Sequence, residues 1–315
     1  MGVIGFVVLR LAATVPVVVF VAVFVFALVR LTPGDPAAVL AGDNASPRQV
    51  EEIRAELGLD EPLWTQFAIY AGQLLRGNLG TSYFFNQPVR TLVAQRLEPT
   101  LSLAAVTILL TVVVAVPLGT LAAYRYGGRL DRVVMGFSVA GFSIPVFVLG
   151  YLLIWIFAVE LRWLPVQGFA SLRDGLGPFL AHLILPASAL AVIYVALVAR
   201  IARASVLEVL GEDHVRTARA KGLGEFAVVV RHALRNALVP IVTVVGVGVA
   251  FLIGGVVVTE SVFNIPGLGR LTVDAVLARD YPTIQGVILV FSGLYVLINL
   301  LIDLAYLALD PRIRY

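Results

Sequence analysis

Residues 212–240 read EDHVRTARAKGLGEFAVVVRHALRNALVP, a mostly polar and basic stretch set between long apolar runs. Its two helix-compatible halves meet at Gly222, Leu223 and Gly224. Glycine lacks the side chain that would forbid a tight turn or hold a second backbone away. In an otherwise oily chain, the stretch therefore reads as a docking hairpin for a soluble partner rather than as a spacer.

The surroundings support that reading. Of the 315 residues, 60% are hydrophobic and 14% charged, with a mean hydropathy of +0.96, far too little polar surface for a soluble globule of this size. Without cysteine the chain has no disulfide framework and no thiolate metal site. A formal net charge of +3 is too small to imply a nucleic-acid partner. Lys221 is the only lysine, which we read as a compositional bias without functional weight.

Working outward, six apolar segments are long enough to cross hydrocarbon, at about Val7–Val29, Pro99–Tyr124, Val133–Val159, Phe179–Ala199, Ala237–Thr259 and Pro282–Leu301. The first follows Arg10 and carries no small-x-small cleavage pattern, so it reads as an uncleaved span rather than a signal peptide. Arg125, Arg129 and Arg132 crowd one short turn, and seven basic residues lie between Arg200 and Arg235; both loops are assigned to the cytoplasm. Both termini then lie in the cytoplasm. The expected organisation is an N-terminal transmembrane helix at 1–30, an extracytoplasmic helical and loop region at 31–98, and a five-helix core at 99–315 containing the cytoplasmic loop 200–239. Pro117 and Pro145 interrupt two of the spans.

The extracytoplasmic region opens with Pro33, Gly34, Asp35 and Pro36, a rigid turn that cannot continue a helix. Ser46 and Pro47 then read as the cap and first-turn proline of a short amphipathic helix. The aromatic, turn-rich segment GNLGTSYFFNQPV suits either a partner contact or packing against the bundle.

Little in the chain suggests chemistry of its own. The glycine-lysine neighbourhood ARAKGLG lacks the spacing of a phosphate-wrapping loop, so ATP hydrolysis by this chain is not expected. His182, His214 and His232 are scattered, and the near-uncharged spans disfavour an intramembrane peptidase. Asp303 keeps an ion-coupled secondary transporter as the rival from another class, against its reading as an interfacial carboxylate. No directly bound cofactor or metal is expected.

At the opening stretch a resemblance becomes specific. HVRTARAKGLGEFAVVVRHALRNALVPIV resembles the cytoplasmic coupling motif of binding-protein-dependent ABC importer permeases, with Ala218 and Gly222 at its characteristic spacing. Arg216 and Thr217 stand where the general pattern often has glutamate and alanine, a variant familiar in the peptide-transporting branch. RLTPGDPA and ESVFNIPGLGRLTVDAVLARDYPTIQG resemble two further blocks of dipeptide and oligopeptide permeases, and the long external section is similar to that of their first permease subunit.

The resemblance implies an all-α integral membrane protein with six transmembrane helices in the type I ABC importer permease fold, in a bacterial or archaeal cytoplasmic membrane. Its partners would be a second homologous permease subunit, two ATPase subunits that hold ATP and Mg2+, and an extracytoplasmic peptide-binding protein. Arg216, Thr217, Ala218, Arg219, Lys221, Gly222, Leu223 and Gly224 would contact an ATPase. Asp35, Asp274, Arg279 and Asp280 are candidates for an extracytoplasmic gate or docking surface, or alternatively cap turns and pair locally. Dipeptides or oligopeptides are the implied cargo; related branches carry nickel chelates, opines or glutathione.

Overall fold

Apolar runs in this chain become helices because a helix satisfies its own N–H and C=O groups where water is absent. The structure, a computed structural model, describes residues 3–31, 35–42, 45–56 and 58–309. In chain order the helices are α1 (Val3–Leu31), α2 (Pro36–Ala41), α3 (Pro47–Glu56), α4 (Leu63–Leu75), α5 (Val89–Tyr124), α6 (Arg129–Ser143) and α7 (Val146–Leu153), which continues as a π-helical segment over Ile154–Glu160. They are followed by α8 (Leu176–Leu210), α9 (Asp213–Ala220) and α10 (Glu225–Ala227), which continues as a π-helical segment over Val228–Leu234. The last three are α11 (Leu238–Val262), α12 (Leu268–Leu277) and α13 (Tyr281–Leu309). Among the described residues β-pairing is limited to one antiparallel bridge, Thr81 to Pro88.

Among the described residues four helical segments are long and apolar enough to cross a membrane: Ala12–Leu31, Val89–Tyr124, Leu176–Leu210 and Tyr281–Ala305. Two bent pairs qualify when each is taken together, Arg129–Ser143 with Val146–Glu160 at 103° and Glu225–Leu234 with Leu238–Val249 at 60°. The fold is thus all-α and multi-span. The first bend falls at Pro145, which cannot donate a backbone hydrogen bond and caps α7 in an extended conformation. Pro117 and Pro186 are carried inside α5 and α8 without a break.

α5 and α8 extend furthest beyond their expected ends. α5 starts at Val89 rather than Pro99, and α8 runs to Leu210 where a loop was expected from Arg200. Ala199, Ala202, Val206 and Val209 continue the buried stripe of α8 at helical spacing, so packing carries the helix past the last apolar run.

The chain forms two compact units, Met1–Leu97 with Arg270–Val296, and Glu98–Gly269 with Leu297–Tyr315. In the first, Phe26 of α1 meets Phe67 edge-on at 5.2 Å and Tyr70 at 5.6 Å. Arg30 stacks on the Phe26 ring at 3.5 Å and donates to Gln66 Oε1 through Nε at 3.0 Å and Nη2 at 2.7 Å. These contacts fix α4 against α1. Burial pushes the Tyr70 phenol up to about 12.

In the second unit α8 is the axis, with α6, α7 and α11 packed against it. One part of its core is rich in alanine and valine, including Ala122, Ala202, Val206, Val215 and Val228, and so reaches α9 and the helix after α10. Another, around Leu103, Leu183, Leu190, Leu252 and Ile265, fills the space between α5, α8 and α11. Asp131, buried at the start of α6, accepts from Arg203 of α8 through both Nε and Nη2 and from the Gly127 N–H at 3.0 Å. That pair locks the end of α8 nearest the hairpin.

Candidate functional site

The hairpin of residues 212–236 is a helix, a turn and a second helix. Val215 and Ala218 are buried in the unit's own core, so α9 turns its remaining face outward with Asp213, Arg216, Thr217 and Ala220 exposed. The Thr217 hydroxyl donates to the Asp213 carbonyl at 2.9 Å. Arg216 and Asp213 form an exposed ion pair at 3.5 Å.

At the end of α9 the chain reverses through Gly222, whose φ of +79° lies in the left-handed region that glycine adopts without strain. Its N–H donates to the Arg219 carbonyl at 2.9 Å, and the Leu223 N–H to the Ala218 carbonyl at 3.3 Å, closing the helix end. Arg219 then spans the turn, donating through Nε at 3.0 Å and Nη2 at 3.3 Å to the two carboxylate oxygens of Glu225. At the base, Asn236 Nδ2 donates to the His232 carbonyl at 2.9 Å and lies 3.0 Å from His214 Nε2, while His214 Nδ1 is 3.0 Å from Glu212 Oε2. The hairpin is thereby held at both ends by its own side chains.

What it presents is mixed. Every residue from Arg219 to Phe226 is exposed, including Leu223 and, at 82% of its surface, Phe226. Lys221 has no ion-pair partner among the described residues. A side chain added at Gly222 or Gly224 would meet no atom within 4 Å, so the space above both is open in this chain. Cations, an apolar tip and bare backbone together suit a partner with an acidic-rimmed, apolar-floored groove.

Of the four candidates for a gate or docking surface, Asp35, Asp274 and Asp280 have side-chain partners. Asp35 caps α2, accepting from the Ala37 N–H at 3.0 Å, and pairs with Arg54 of α3 at 2.5 Å. Asp274 lies 3.9 Å from Arg270 one turn earlier. Arg279, two residues past the end of α12, has a left-handed φ of +52°. Asp280 is fully buried; it accepts from the Ser82 hydroxyl at 2.5 Å, the Tyr83 N–H at 3.0 Å and the Thr283 hydroxyl at 2.7 Å. Burial, and after it the Asp280 carboxylate, push the Tyr83 phenol upward, against a smaller opposing pull from Arg30. Asp280 therefore ties the 81–88 turn to the start of α13, and only Phe84 of that turn's aromatics is fully exposed.

Sequence reasoning missed Glu260. It ends α11 rather than opening an external loop, and its fully buried carboxylate accepts from the Thr100 hydroxyl at 2.6 Å. The available signal was an acid followed at seven and nine residues by glycines, Gly267 and Gly269, where a side chain would collide with that carboxylate or with Val257. Among the described residues no group of three acidic, histidine or cysteine side chains could hold a metal ion.

Residues 115–315 match the family model described as the binding-protein-dependent transport system inner membrane component, and residues 3–104 match the model of the N-terminal part of such membrane components. The chain belongs to this family. Members similar to it along nearly their whole length include the Sinorhizobium fredii protein named "Probable peptide ABC transporter permease protein y4tP", 57% identical over 97% of this chain and 98% of that one. The "Glutathione transport system permease protein GsiC" of Escherichia coli K12 is 44% identical over 99% of each chain. Among solved structures, the inward-facing MetNI methionine ABC transporter aligns with a TM-score of 0.55 at 20% identity, over 70% of this chain and 96% of that one. At that identity the likeness carries the fold alone, that of a type I ABC importer permease. The RTARAKGLG stretch lies inside the region matched to the inner-membrane component.

Proposed function

We propose that the chain is the permease subunit of an ATP-driven importer for dipeptides or oligopeptides delivered by an extracytoplasmic binding protein. The observation that carries this reading is the hairpin at 212–236, an ordered, exposed and basic turn with an apolar tip in a family member whose relative is named a peptide permease. It works in a complex with a second homologous permease subunit and two ATPase subunits, which bind and hydrolyse ATP with Mg2+. The permease itself is a transport subunit rather than an enzyme.

In this reading the protein crosses the inner membrane six times, each bent pair counting as one crossing, with both termini and the 200–239 loop in the cytoplasm. Residues 1–30 form the first span, 31–98 the external region and 99–315 the core. Arg216, Thr217, Arg219, Lys221, Gly222, Leu223 and Gly224 meet a groove of one ATPase, and Ala218 lets α9 lie close on the core beneath them. ATP binding closes the ATPase dimer, and the hairpin transmits that motion to α8 and α11. The spans then open toward the loaded binding protein. Partner binding energy must favour one of two conformations, because a ligand shifts an equilibrium only through its difference in affinity for the two states. Asp35, Asp274 and Arg279 contribute to the external docking face, while Asp280 holds the turn that carries Phe84.

Replacing Gly222 with valine tests the coupling role. In the reconstituted complex the variant is expected to insert and assemble normally yet lose ATPase stimulation by the loaded binding protein; full stimulation would sink the assignment. The similarity to a protein named as a glutathione permease supports a second cargo within the same mechanism. Mass spectrometry of the small molecule retained on the copurified binding protein separates the two.

A further inference from the structure

α4 is built inside out. Its one buried residue is polar, Gln66, while Trp64 and Leu75 are 75% and 89% exposed and Leu63, Ala68 and Ile69 are exposed as well. Trp64, Ala68 and Leu75 follow one another at spacings of four and seven residues, which sets them in one row along the helix. No charged residue occurs from Leu63 to Leu75; Asp60 and Glu61 precede the helix and Arg76 follows it. A helix at a protein surface in water carries the opposite arrangement, apolar groups inward and polar groups outward.

The inward polar group is fully used. Gln66 accepts from Arg30 through Oε1 and donates through Nε2 to the carbonyls of Leu59 at 3.0 Å and Glu61 at 2.8 Å. One amide thereby satisfies a guanidinium and two backbone carbonyls ahead of the helix, a provision that matters most where water is scarce.

The depth of α4 follows from α1. Phe67 and Tyr70 sit on Phe26, and Gln66 holds Arg30; both α1 residues belong to the spanning segment Ala12–Leu31. Phe26 is five residues short of the end of that segment, about 7 Å of helix, so α4 lies below the edge of the apolar zone. With 13 residues α4 is about 20 Å long, too short to cross about 30 Å of hydrocarbon. Phe20, Val23 and Phe24 of α1 are exposed like the outer row of α4, as the lipid-facing side chains of a span are.

We propose that α4 lies in the membrane interface with Trp64, Ala68 and Leu75 in lipid, so that the bilayer is the partner on which this face docks. The absence of charge selects the acyl region rather than anionic headgroups, and tryptophan is the side chain that collects at this depth. The segment between α1 and α5 is thereby fastened to one leaflet. The inference rests on α1 being a membrane span and depends neither on the cargo nor on the coupling role of the hairpin.

The test uses the assembled transporter in phosphatidylcholine vesicles, without binding protein. The chain has no cysteine, so Ala68→Cys and Leu75→Cys each accept a single spin label, and the unsubstituted complex gives the background of the other subunits. Both positions are exposed, so neither change disturbs the core. The labels are expected to be reached by oxygen, which dissolves in lipid, and shielded from a water-soluble nickel chelate, at a depth of about 5–10 Å. Arg48→Cys, on the exposed surface of α3, should show the reverse, and Phe20→Cys reports on the span itself. Chelate access at Ala68 and Leu75 equal to that at Arg48 would overturn the proposal and leave the face to the binding protein. Shielding from both reagents would assign the face to another subunit and overturn it as well. Chelate access at Phe20 would bring down the span and this inference with it, whereas lipid-exposed labels in a complex that imports no peptide would count against the cargo reading alone.

Discussion

The Thr100 hydroxyl donates to the Glu260 carboxylate at 2.6 Å while its oxygen accepts the Leu268 N–H at 2.8 Å, so one side chain on α5 joins the end of α11 to the start of α12. Thr100→Val would take one donor from a buried carboxylate and one acceptor from the Leu268 N–H. We predict a loss of about 1–3 kcal/mol, largely restored by Thr100→Ser. Gly267→Ala is expected to be worse, since its Cβ would overlap the carboxylate. Thermal unfolding in detergent checks the order Thr100→Ser, Thr100→Val, Gly267→Ala from mildest to most severe; a stable Gly267→Ala protein would refute it.

The Asp131–Arg203 pair makes a different prediction. The Arg203 side chain is 17% exposed and that of Asp131 6%, so removing either partner strands a charge in a poorly hydrated place. Asp131→Leu or Arg203→Met alone should each cost about 3–5 kcal/mol, whereas the double replacement Asp131→Leu with Arg203→Met should recover much of that. A double-mutant cycle on unfolding midpoints measures the coupling. Additive losses would mean the pair is spectator to the α6–α8 packing.

How much of this was legible in the residues depends on the length scale of the signal. Long apolar runs and basic loops fixed the class, and the Gly222 turn was visible because left-handed backbone selects glycine locally. The continuation of α8 to Leu210 was obscured because Arg200 and Arg203 mimic a loop; Arg203 is neutralised by Asp131, 72 residues earlier, and no local pattern announces such a partner. Thr100–Glu260 and Ser82–Asp280 were hidden for the same reason, being joined across 160 and 198 residues. Ala218 was expected at a partner interface, yet its small side chain lies in the chain's own core.

The two glycines of the turn should part company on substitution. Gly222 needs its positive φ, so Gly222→Ala is expected to cost about 1 kcal/mol and Gly222→Asn less. Gly224, at φ −61° and ψ 145°, adopts a conformation open to any residue and has free space above it. Gly224→Ala should leave the subunit's unfolding midpoint unchanged. Any drop in ATPase stimulation by Gly224→Ala would then come from the partner's surface. A destabilised Gly224→Ala subunit would remove that reasoning.

Asp280 offers the test that also reports on sidedness. Its carboxylate accepts from Ser82, Tyr83 and Thr283, and the Ser82 hydroxyl in turn accepts the Phe85 N–H at 2.8 Å, so one buried acid holds the whole aromatic turn. Hydrogen bonds to a charged group contribute about 1.5–3 kcal/mol, and cleavage of a briefly opened segment follows the population of its open form. Asp280→Ala is therefore expected to raise chymotrypsin cleavage near Tyr83, Phe84 and Phe85 by about tenfold or more, without altering cleavage at Phe226 in the hairpin. If the external assignment of residues 31–98 is right, the increase occurs in right-side-out vesicles and not in inverted ones. Equal cleavage of wild type and variant would mean that the Thr81–Pro88 bridge holds the turn without Asp280, and cleavage only in inverted vesicles would reverse the orientation.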